Sequence, residues 1–261
     1  MKLSIKEWDQ KLRNSSTEEI SRLLEFLASD ERQGAKKLFK TYTSRLLEVE
    51  AELRRLEIMC SFEKQCTANG KNFIAGVDEV GRGPLAGPVV AAAVILPEGY
   101  TLNGINDSKK LSEKKREDLY ERIVKDAVCY STYLVQPDKI DEINIYQASK
   151  LAMTEAVYQL KIQPDQLLID AMEIPLPIDQ KKIIKGDEKS ISIAAASIVA
   201  KVTRDRYMKK LDQMYPHYGF KSNMGYGTKE HLEALRTFGA TEIHRKTFSP
   251  VGEIIQYTGS E

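Results

Sequence analysis

Residues 76–89 read GVDEVGRGPLAGPV, and apolar residues flank this glycine-rich stretch on both sides. Residues 73–80 and 88–96 predict two β-strands, and the short link at residues 81–87 predicts that the strands pair as a hairpin. The link is not a nucleotide-binding loop, because no Gly-Lys-Ser/Thr follows it and the next element is a strand instead of a helix. Its glycines allow the backbone to approach a ligand closely, although a plain hairpin turn is the simpler interpretation.

Strand and helix patterns alternate along the rest of the chain. The predicted strands are residues 128–135 and 166–170, and the predicted helices are residues 112–126, 146–160, 191–211 and 228–238. The small side chains at residues 194–197 would let the third of these helices lie close against a sheet. Alternation of this kind predicts an α/β domain.

Residues 1–70 differ in composition, being rich in Glu, Lys, Arg and Leu and free of Pro. The sequence from Ser16 to Glu19 predicts a capping box that opens a helix. Apolar residues from Phe39 to Cys60 recur in steps of three and four, which predicts a helix packed within the chain or, alternatively, a short dimer zipper. We therefore predict a helical N-terminal extension at residues 1–70 and a second domain at residues 71–261.

Composition and charge exclude several classes of protein. The chain is 42% hydrophobic and 30% charged, and its mean hydropathy is −0.40. The apolar runs are too short to cross a bilayer and no signal-peptide pattern opens the chain, so we expect a cytoplasmic protein with no membrane partner. The three cysteines form no C-x-x-C pair, which argues against a zinc site. A net charge of +1 argues against a purely electrostatic nucleic-acid binder, although basic residues crowd segments 109–116 and 201–210.

Acidic residues lie at the ends of the predicted elements. Asp78 and Glu79 follow an apolar strand, Asp170 ends another, and Asp187 precedes the alanine-rich helix. Any one of them alone is most simply a turn or helix cap. Four together favour a site for Mg²⁺ or Mn²⁺, because buried carboxylates are costly unless they are paired or bind metal. Two such ions can stabilise the attacking and leaving oxygens of a phosphodiester.

The histidines offer no rival chemistry. His217, His231 and His244 do not have the spacing of a zinc site, and no Ser-His-Asp or Cys-His arrangement accompanies them. We interpret each as a structural or phosphate-facing residue, and none as a general base.

Several motifs resemble those of the ribonuclease HII family. They are residues 76–89, residues 106–111 (NDSKKL), Lys185-Gly186-Asp187, residues 195–205 (AASIVAKVTRD), residues 225–231 (GYGTKEH) and residues 244–248 (HRKTF). The resemblance covers about residues 73–251. Residues before 73 fall outside it.

The resemblance implies a ribonuclease H-like fold, in which helices flank a mixed sheet and a C-terminal helical part closes the cleft. It implies that Asp78, Glu79 and Asp170 are metal ligands and that Asp187 is a fourth active-site acid. It assigns the sensing of the ribose 2′-hydroxyl to four residues, Gly81, Arg82, Gly83 and Tyr226. The Gly-Arg-Gly feature distinguishes type HII from type HIII.

Phosphate contacts form a further group of candidates. Four residues are proposed for it: Lys109, Ser197, Lys201 and Lys229. The alternative for each is an ordinary surface or capping role.

The resemblance implies a metal-dependent endoribonuclease. We expect it to hydrolyse the RNA strand of RNA–DNA hybrids and to cut on the 5′ side of single ribonucleotides embedded in duplex DNA, with Mn²⁺ or Mg²⁺ as cofactor. We also expect a monomer. Two alternatives stay open: a nuclease of related fold that acts on another nucleic-acid structure, such as a junction, and a non-catalytic hybrid-binding module.

Overall fold

A five-stranded mixed sheet organises the larger part of the computed structural model, which describes residues 3–258. Its strands are β1 (Ile74–Val80), β2 (Val89–Ile95), β3 (Cys129–Val135), β4 (Gln166–Asp170) and β5 (Gln180–Ile183), in the order β3-β2-β1-β4-β5. Strands β1, β2 and β3 pair antiparallel, whereas β4 runs parallel to β1 and β5 parallel to β4. The central strand is therefore β1, and its C-terminal end lies beside that of β4.

Helices fill the remaining segments. They are α1 (Ile5–Arg13), α2 (Thr17–Ala28), α3 (Gln33–Met59), α4 (Ser61–Ala68), α5 (Glu113–Asp126), α6 (Pro137–Tyr158), α7 (Gly186–Lys189), α8 (Ile191–Met214), α9 (Phe220–Asn223), α10 (Lys229–Phe238) and α11 (Val251–Thr258). Short 3₁₀ turns occur at Ser108–Lys110 and Pro216–Tyr218. No helix in the described range 3–258 combines the length and the apolar character needed to cross a membrane.

Helices α6 and α8 both pack against the sheet. Strand β2, with sequence VVAAAVI, is buried along its whole length because both of its faces are covered. Helix α8 approaches β1 so closely that a Cβ at Gly76 would lie 2.0 Å from the carbonyl carbon of Ser192. Glycine in β1 and alanines in α8 make this approach possible, which confirms the predicted role of the small-residue helix.

Two elements depart from the predictions. Strand β5 was not predicted, because it is a short edge strand with sequence QKKI whose lysines are exposed and give no apolar run. Helix α6 begins at Pro137, nine residues before the predicted start at 146. Its two segments meet at Asn144, which has a φ of 65°, and only the second segment carries the clear apolar pattern.

The chain divides into two compact units, Met1–Ile58, called here the N-terminal unit, and Met59–Glu261, called the sheet unit. In the N-terminal unit, capping boxes at Ser4 and Ser16 open α1 and α2. Its core contains Leu12, Leu24, Leu27, Ala35 and Tyr42. Phe39 and Leu46 pack against the same core, so the start of the predicted apolar seam is packed within the chain.

The sheet unit includes α4, although the predicted extension ran to residue 70. Cys66 of α4 lies in a buried cluster with Ile74 and Ile193, and Phe62 packs against that cluster. The Glu63 carboxylate accepts hydrogen bonds from the Ser190 hydroxyl at 2.5 Å and the Ser192 amide at 3.0 Å. Helix α4 therefore helps to hold the N-terminus of α8.

A second apolar cluster forms the C-terminal helical part. It contains Leu85, Ala86, Met208, Leu211, Tyr218, Phe220, Ala234, Leu235 and Val251. Because Leu85 and Ala86 follow β1, this cluster joins the loop between β1 and β2 to helices α8, α10 and α11. The expected mixed sheet, flanking helices and C-terminal helical part are all confirmed.

Candidate active site

The acids of the site meet at the C-terminal ends of β1 and β4. Val77 of β1 is paired with Ile169 of the parallel strand β4. The next residue on each strand is an aspartate, so this register places Asp78 beside Asp170. Asp78 is only 5% exposed, and its carboxylate accepts a hydrogen bond from the Glu79 amide at 2.8 Å.

This acidic cluster is short of positive charge. Burial raises the pKa of Asp78 well above its usual range, and the carboxylates of Glu79 and Asp170 raise it further. Burial also raises the pKa of Glu79 to about 7, against the opposing effect of Arg82. Burial, and then the charges of Asp107 and Asp170, raise the pKa of Asp187 to about 6.

Two left-handed residues shape the backbone around Asp170 and Asp187. Ala171 has a φ of 48° and Lys185 a φ of 56°, conformations that cost a non-glycine residue roughly 1–2 kcal/mol. The amide of Gly186 donates to the Asp170 carboxylate at 2.7 Å. Strained turns thus bring the fourth acid next to the end of β4, as is common at functional sites.

Lys109 lies near this group of acids, as does Arg82, whose guanidinium is 3.6 Å from the Glu79 carboxylate. Lys109 lies in the 3₁₀ turn Ser108–Lys110, where its backbone amide donates a hydrogen bond to the Asp107 carboxylate at 2.9 Å. Burial lowers the pKa of the Lys109 ammonium, but Asp78 and other nearby carboxylates raise it, and the net shift is upward. The Ser108 and Ser197 hydroxyls are 3.0 Å apart, and Ser197 also hydrogen-bonds to Asp78. The structure therefore places Lys109 and Ser197 with the acids.

The loop of residues 81–83 lies next to Tyr226. Gly81 has a φ of +92°, and a Cβ at Gly83 would lie 3.7 Å from a ring carbon of Tyr226. The Leu85 amide donates to the Gly225 carbonyl at 2.8 Å, which ties the two segments together. Tyr226 is 44% exposed, so its ring is open to a ligand. The four residues assigned to ribose sensing are thus brought together beside the acids.

The remaining two phosphate candidates have other environments. The Lys201 ammonium lies 2.6 Å from the Asp205 carboxylate, which Arg116 also contacts at 3.3 Å, and all three side chains are largely buried. A structural role accounts for Lys201. Lys229 is an exposed residue at the start of α10, 3.9 Å from Glu233. In the part of the chain that the structure describes, neither residue has a hydrogen bond or ion pair with the acidic cluster.

Other residues of the site were not singled out from the sequence. Asp107 caps the turn that carries Lys109, and Arg116 donates to the Ser108 carbonyl at 2.9 Å below that turn. Arg204 and Arg245 are fully buried near the loop of residues 81–88. Both arginines occur within the motifs quoted above, but a sequence alone gives no sign that an arginine is buried.

The donor set fits a hard divalent cation. The cluster offers carboxylate oxygens, and the raised pKa values of Asp78, Glu79 and Asp187 show that added positive charge would stabilise their ionised forms. Among residues 3–258, no group of three or more His, Cys, Asp or Glu side chains is already arranged around a single ion position.

Known families match nearly the whole chain. The model of the family described as Ribonuclease HII matches residues 75–251, and that of the Ribonuclease HII N-terminal domain matches residues 4–67. A Ribonuclease HII from Bacillus thuringiensis is 53% identical over 256 residues, which are 98% of this chain and 99% of that protein. The N-terminal segment, which the sequence motifs left unassigned, therefore matches a family domain of its own.

Solved structures share the fold. The ribonuclease H2 from Pyrococcus horikoshii OT3 superposes with a TM-score of 0.62 at 28% identity, over 72% of this chain and all of that one (100%). Bst-RNase HIII in complex with Mn²⁺ superposes with a TM-score of 0.55 at 16% identity, over 72% of this chain and 71% of that chain, and this likeness concerns the fold alone.

Proposed function

The chain belongs to the ribonuclease HII family and is a ribonuclease H enzyme. We propose which of its residues bind metal, which contact the substrate phosphate and which recognise the ribose. In this proposal Asp78, Glu79 and Asp170 hold divalent metal ions, and Asp187 completes the acidic site. The observation that supports it most is the crowding of buried carboxylates at the ends of β1 and β4, with raised pKa values.

The family depends on divalent metal ions, and we propose that this chain uses Mn²⁺ or Mg²⁺. The related Bst-RNase HIII was solved with Mn²⁺, which supports the choice of a hard cation with oxygen ligands. Bound metal would activate a water molecule and neutralise charge that develops on the phosphate. The acids then act as ligands and not as general bases. Lys109 and Ser197, which lie next to them, are proposed to contact the substrate phosphate.

The substrate follows from the residues beside the acids. We propose that the loop of residues 81–83 and Tyr226 detect the ribose 2′-hydroxyl, which is both a donor and an acceptor and distinguishes RNA from DNA. In the described structure the amides of Arg82 and Gly83 donate to no protein group, so they are available to a ligand. Cleavage on the 5′ side of a single embedded ribonucleotide is the specificity we propose.

The two alternatives are less well supported. A non-catalytic hybrid-binding module would have no need of four acids in one cluster, and all four are present. A nuclease for another structure, such as a junction, would have no need of a ribose sensor. We also propose a cytoplasmic location, for which the three free cysteines are typical, and a monomeric state that sedimentation can check.

A cleavage assay tests this function. The substrates are a duplex with one ribonucleotide, the same duplex made only of DNA, and an RNA–DNA hybrid, each with Mn²⁺, Mg²⁺ or EDTA. We expect metal-dependent cleavage on the 5′ side of the ribonucleotide and none of the DNA duplex. Cleavage of the DNA duplex would contradict the ribose sensor, and absence of cleavage with every metal would contradict the enzyme.

A further inference from the structure

Two fully buried arginines, Arg204 of α8 and Arg245 after α10, lie beneath the loop of residues 81–88. Burial lowers the pKa of Arg204 to about 10 and that of Arg245 to about 9, so both stay charged at neutral pH. In the described structure, all hydrogen bonds that their guanidinium groups donate end on backbone carbonyl oxygens. The hydrogen bonds of the pair therefore hold backbone and not side chains, while the Arg245 guanidinium also lies over the Phe248 ring, 5.0 Å from its centroid.

Arg245 holds the part of the loop assigned to ribose sensing. Its Nη2 donates to the Gly81 carbonyl at 2.5 Å, and its Nη1 donates to the Arg82 carbonyl at 2.7 Å. In a trans peptide the C=O of one residue and the N–H of the next point in opposite directions. Because the carbonyls of Gly81 and Arg82 point towards the buried Arg245, the amides of Arg82 and Gly83 point away from it. Neither amide donates to a protein acceptor within residues 3–258.

A pair of buried histidines holds the other half of the sensor. The His231 Nδ1 lies 2.9 Å from the Tyr226 carbonyl, and the His231 Nε2 lies 3.1 Å from the His244 Nε2. The Thr241 amide, which can only donate, lies 3.0 Å from the His244 Nδ1. His244 Nδ1 must therefore accept, so its Nε2–H donates to His231, and the His231 Nδ1–H donates to Tyr226.

This chain of hydrogen bonds requires both histidines to be neutral. Burial lowers the pKa of His231, and burial with the nearby His231 lowers the pKa of His244 to about 4. The other groups that face the pair are the uncharged rings of Tyr218 and Phe220. The direction of the chain is thus fixed at neutral pH.

One short segment connects the two halves. Residues 243–245 run antiparallel to residues 85–87, with Ala86 bridged to His244. The Gly87 amide donates to the Ile243 carbonyl, and the Arg245 amide donates to the Leu85 carbonyl, each at 2.8 Å. His244 and Arg245 are neighbours on this segment, which therefore contacts the carbonyls of Gly81 and Arg82 directly through Arg245 and supports the Tyr226 carbonyl through His244 and His231.

We propose that Arg245 and the His244–His231 pair are positioning residues for ribose recognition, which fix the distance and direction between the amides of the loop and Tyr226. This role rests on the proposed sensing of the 2′-hydroxyl. A site that reads one hydroxyl needs its donors held within a fraction of an ångström, and packing and hydrogen bonds around the contacting groups supply that precision. A displacement of about 1 Å can cost about 100-fold in rate.

The test combines protein variants with changes at the 2′ position. For each protein, kcat/KM is measured on duplexes whose single ribonucleotide carries either 2′-hydroxyl or 2′-fluoro, which cannot donate a hydrogen bond and is a poor acceptor for the loop amides. The variants are Arg245→Lys, which keeps the charge but not the planar fork, His231→Leu, and His231→Asn, which keeps a donor for the Tyr226 carbonyl. The exposed residues Arg236 and His217 supply the matched controls Arg236→Lys and His217→Asn.

The ratio of kcat/KM for 2′-hydroxyl over 2′-fluoro is the decisive quantity. We expect Arg245→Lys and His231→Leu to lower the ratio by about tenfold or more, through kcat, while His231→Asn and both controls retain most of it. Melting temperatures and Mn²⁺ affinities establish that each protein is folded with its acidic site intact. If His231→Leu is unstable, Arg245→Lys decides, because lysine has nearly the same size and charge.

Two results would overturn the proposal in distinguishable ways. A large ratio in the unchanged protein that stable Arg245→Lys and His231→Leu variants retain would remove the positioning role and leave the proposed function intact. A ratio near one in the unchanged protein would remove the proposed ribose sensing, and the positioning role with it.

Discussion

Two of the places where the sheet unit buries charged side chains differ in how the surrounding groups compensate that charge. At the ends of β1 and β4, the carboxylates of Asp78 and Glu79 lie in a group of acids that raises their pKa values. Beneath the loop of residues 81–88, the guanidinium groups of Arg204 and Arg245 are buried just as deeply, but backbone carbonyls surround their donors.

This difference in partners is what we expect between a ligand-binding site, formed by the acids, and a structural scaffold, formed by the arginines. Buried charge is costly, and it persists either because the protein itself satisfies it or because a ligand does. The arginines are satisfied within the fold, and their hydrogen bonds hold the backbone of the loop. The acids have few such partners beyond the ion pair of Glu79 with Arg82, which supports the proposal that a cation and the substrate complete their environment.

The largest expected effect is the loss of catalysis on removal of an acid. Asp78→Asn or Asp170→Asn should lower the rate of cleavage by at least about 10³-fold, because a metal ligand and its charge are removed. Duplex binding should be retained or slightly tightened, since less negative charge faces the phosphates. Single-turnover cleavage and fluorescence anisotropy measure the two quantities, with the exposed Glu98→Gln as control. Substantial cleavage by either Asn variant would contradict the proposed metal site.

A smaller effect is expected at Tyr226, the exposed residue of the proposed ribose sensor. Tyr226→Phe removes only the hydroxyl and Tyr226→Ala removes the ring, so both should cut a single-ribonucleotide duplex more slowly, with Ala the slower. We expect losses of about 10-fold and about 100-fold. If Tyr226 is only a packing residue, Phe will match the unchanged protein and Ala will lower Tm. Rates measured together with Tm separate these outcomes.

Two truncated chains compare the effect of removing the N-terminal unit alone with the effect of removing α4 as well. A chain that starts at Met59 should fold and cleave, with weaker binding of substrate. A chain that starts at Asn69 also loses the apolar contacts of Phe62 and Cys66 and the hydrogen bonds of Glu63, so its Tm should be lower by about 10 °C. Thermal melts of both chains check this. Equal Tm values would show that α4 contributes nothing to the sheet unit.

The smallest expected effect is on stability without metal. The pKa of Glu79 in the folded state, about 7, is above its ordinary value of 4.5, so protonation favours folding. That stability is fully present below about pH 4.5 and is lost as the pH rises through about 7. Glu79→Gln should therefore raise the free energy of unfolding at pH 8 by about 1–3 kcal/mol and change it little at pH 4.

Denaturant titrations in EDTA at pH 4 and pH 8 measure this gain, with Glu98→Gln as the matched control. An equal effect of Glu79→Gln at both pH values would mean that the Glu79 carboxylate is not destabilised by its surroundings. The same substitution should also impair cleavage, which is the expected conflict between stability and function at a metal site.

The sequence was sufficient for the parts of the fold that carry strong local patterns. Apolar runs predicted β1, β2, β3 and β4, and the small residues of α8 predicted its close approach to the sheet. The edge strand β5 could not be predicted, because the exposed residues Lys181 and Lys182 leave it without an apolar run. The membership of α4 in the sheet unit depends on tertiary contacts of Glu63 and Cys66, which no local pattern reports.

In the candidate site, too, some features could be predicted from local sequence and others depend on tertiary contacts. Acids at strand ends were visible in the sequence, and the register of β1 and β4 now explains why Asp78 and Asp170 are adjacent. Lys201 was grouped with possible phosphate contacts, but its ion pair with Asp205 depends on burial that composition does not reveal. The same holds for Arg245, whose function follows only from the carbonyls around it.

A titration of the protein with Mn²⁺ tests the proposed metal site most directly, because electron paramagnetic resonance reports the free ion and a pH indicator reports released protons. If the acidic cluster is the metal site, the unchanged protein binds Mn²⁺ and releases protons near pH 6–7, where the raised pKa values of Glu79 and Asp187 lie. Asp78→Asn and Asp170→Asn then lose this binding while Glu98→Gln retains it. Undiminished Mn²⁺ binding by both Asn variants would contradict the assignment of the metal site to Asp78 and Asp170.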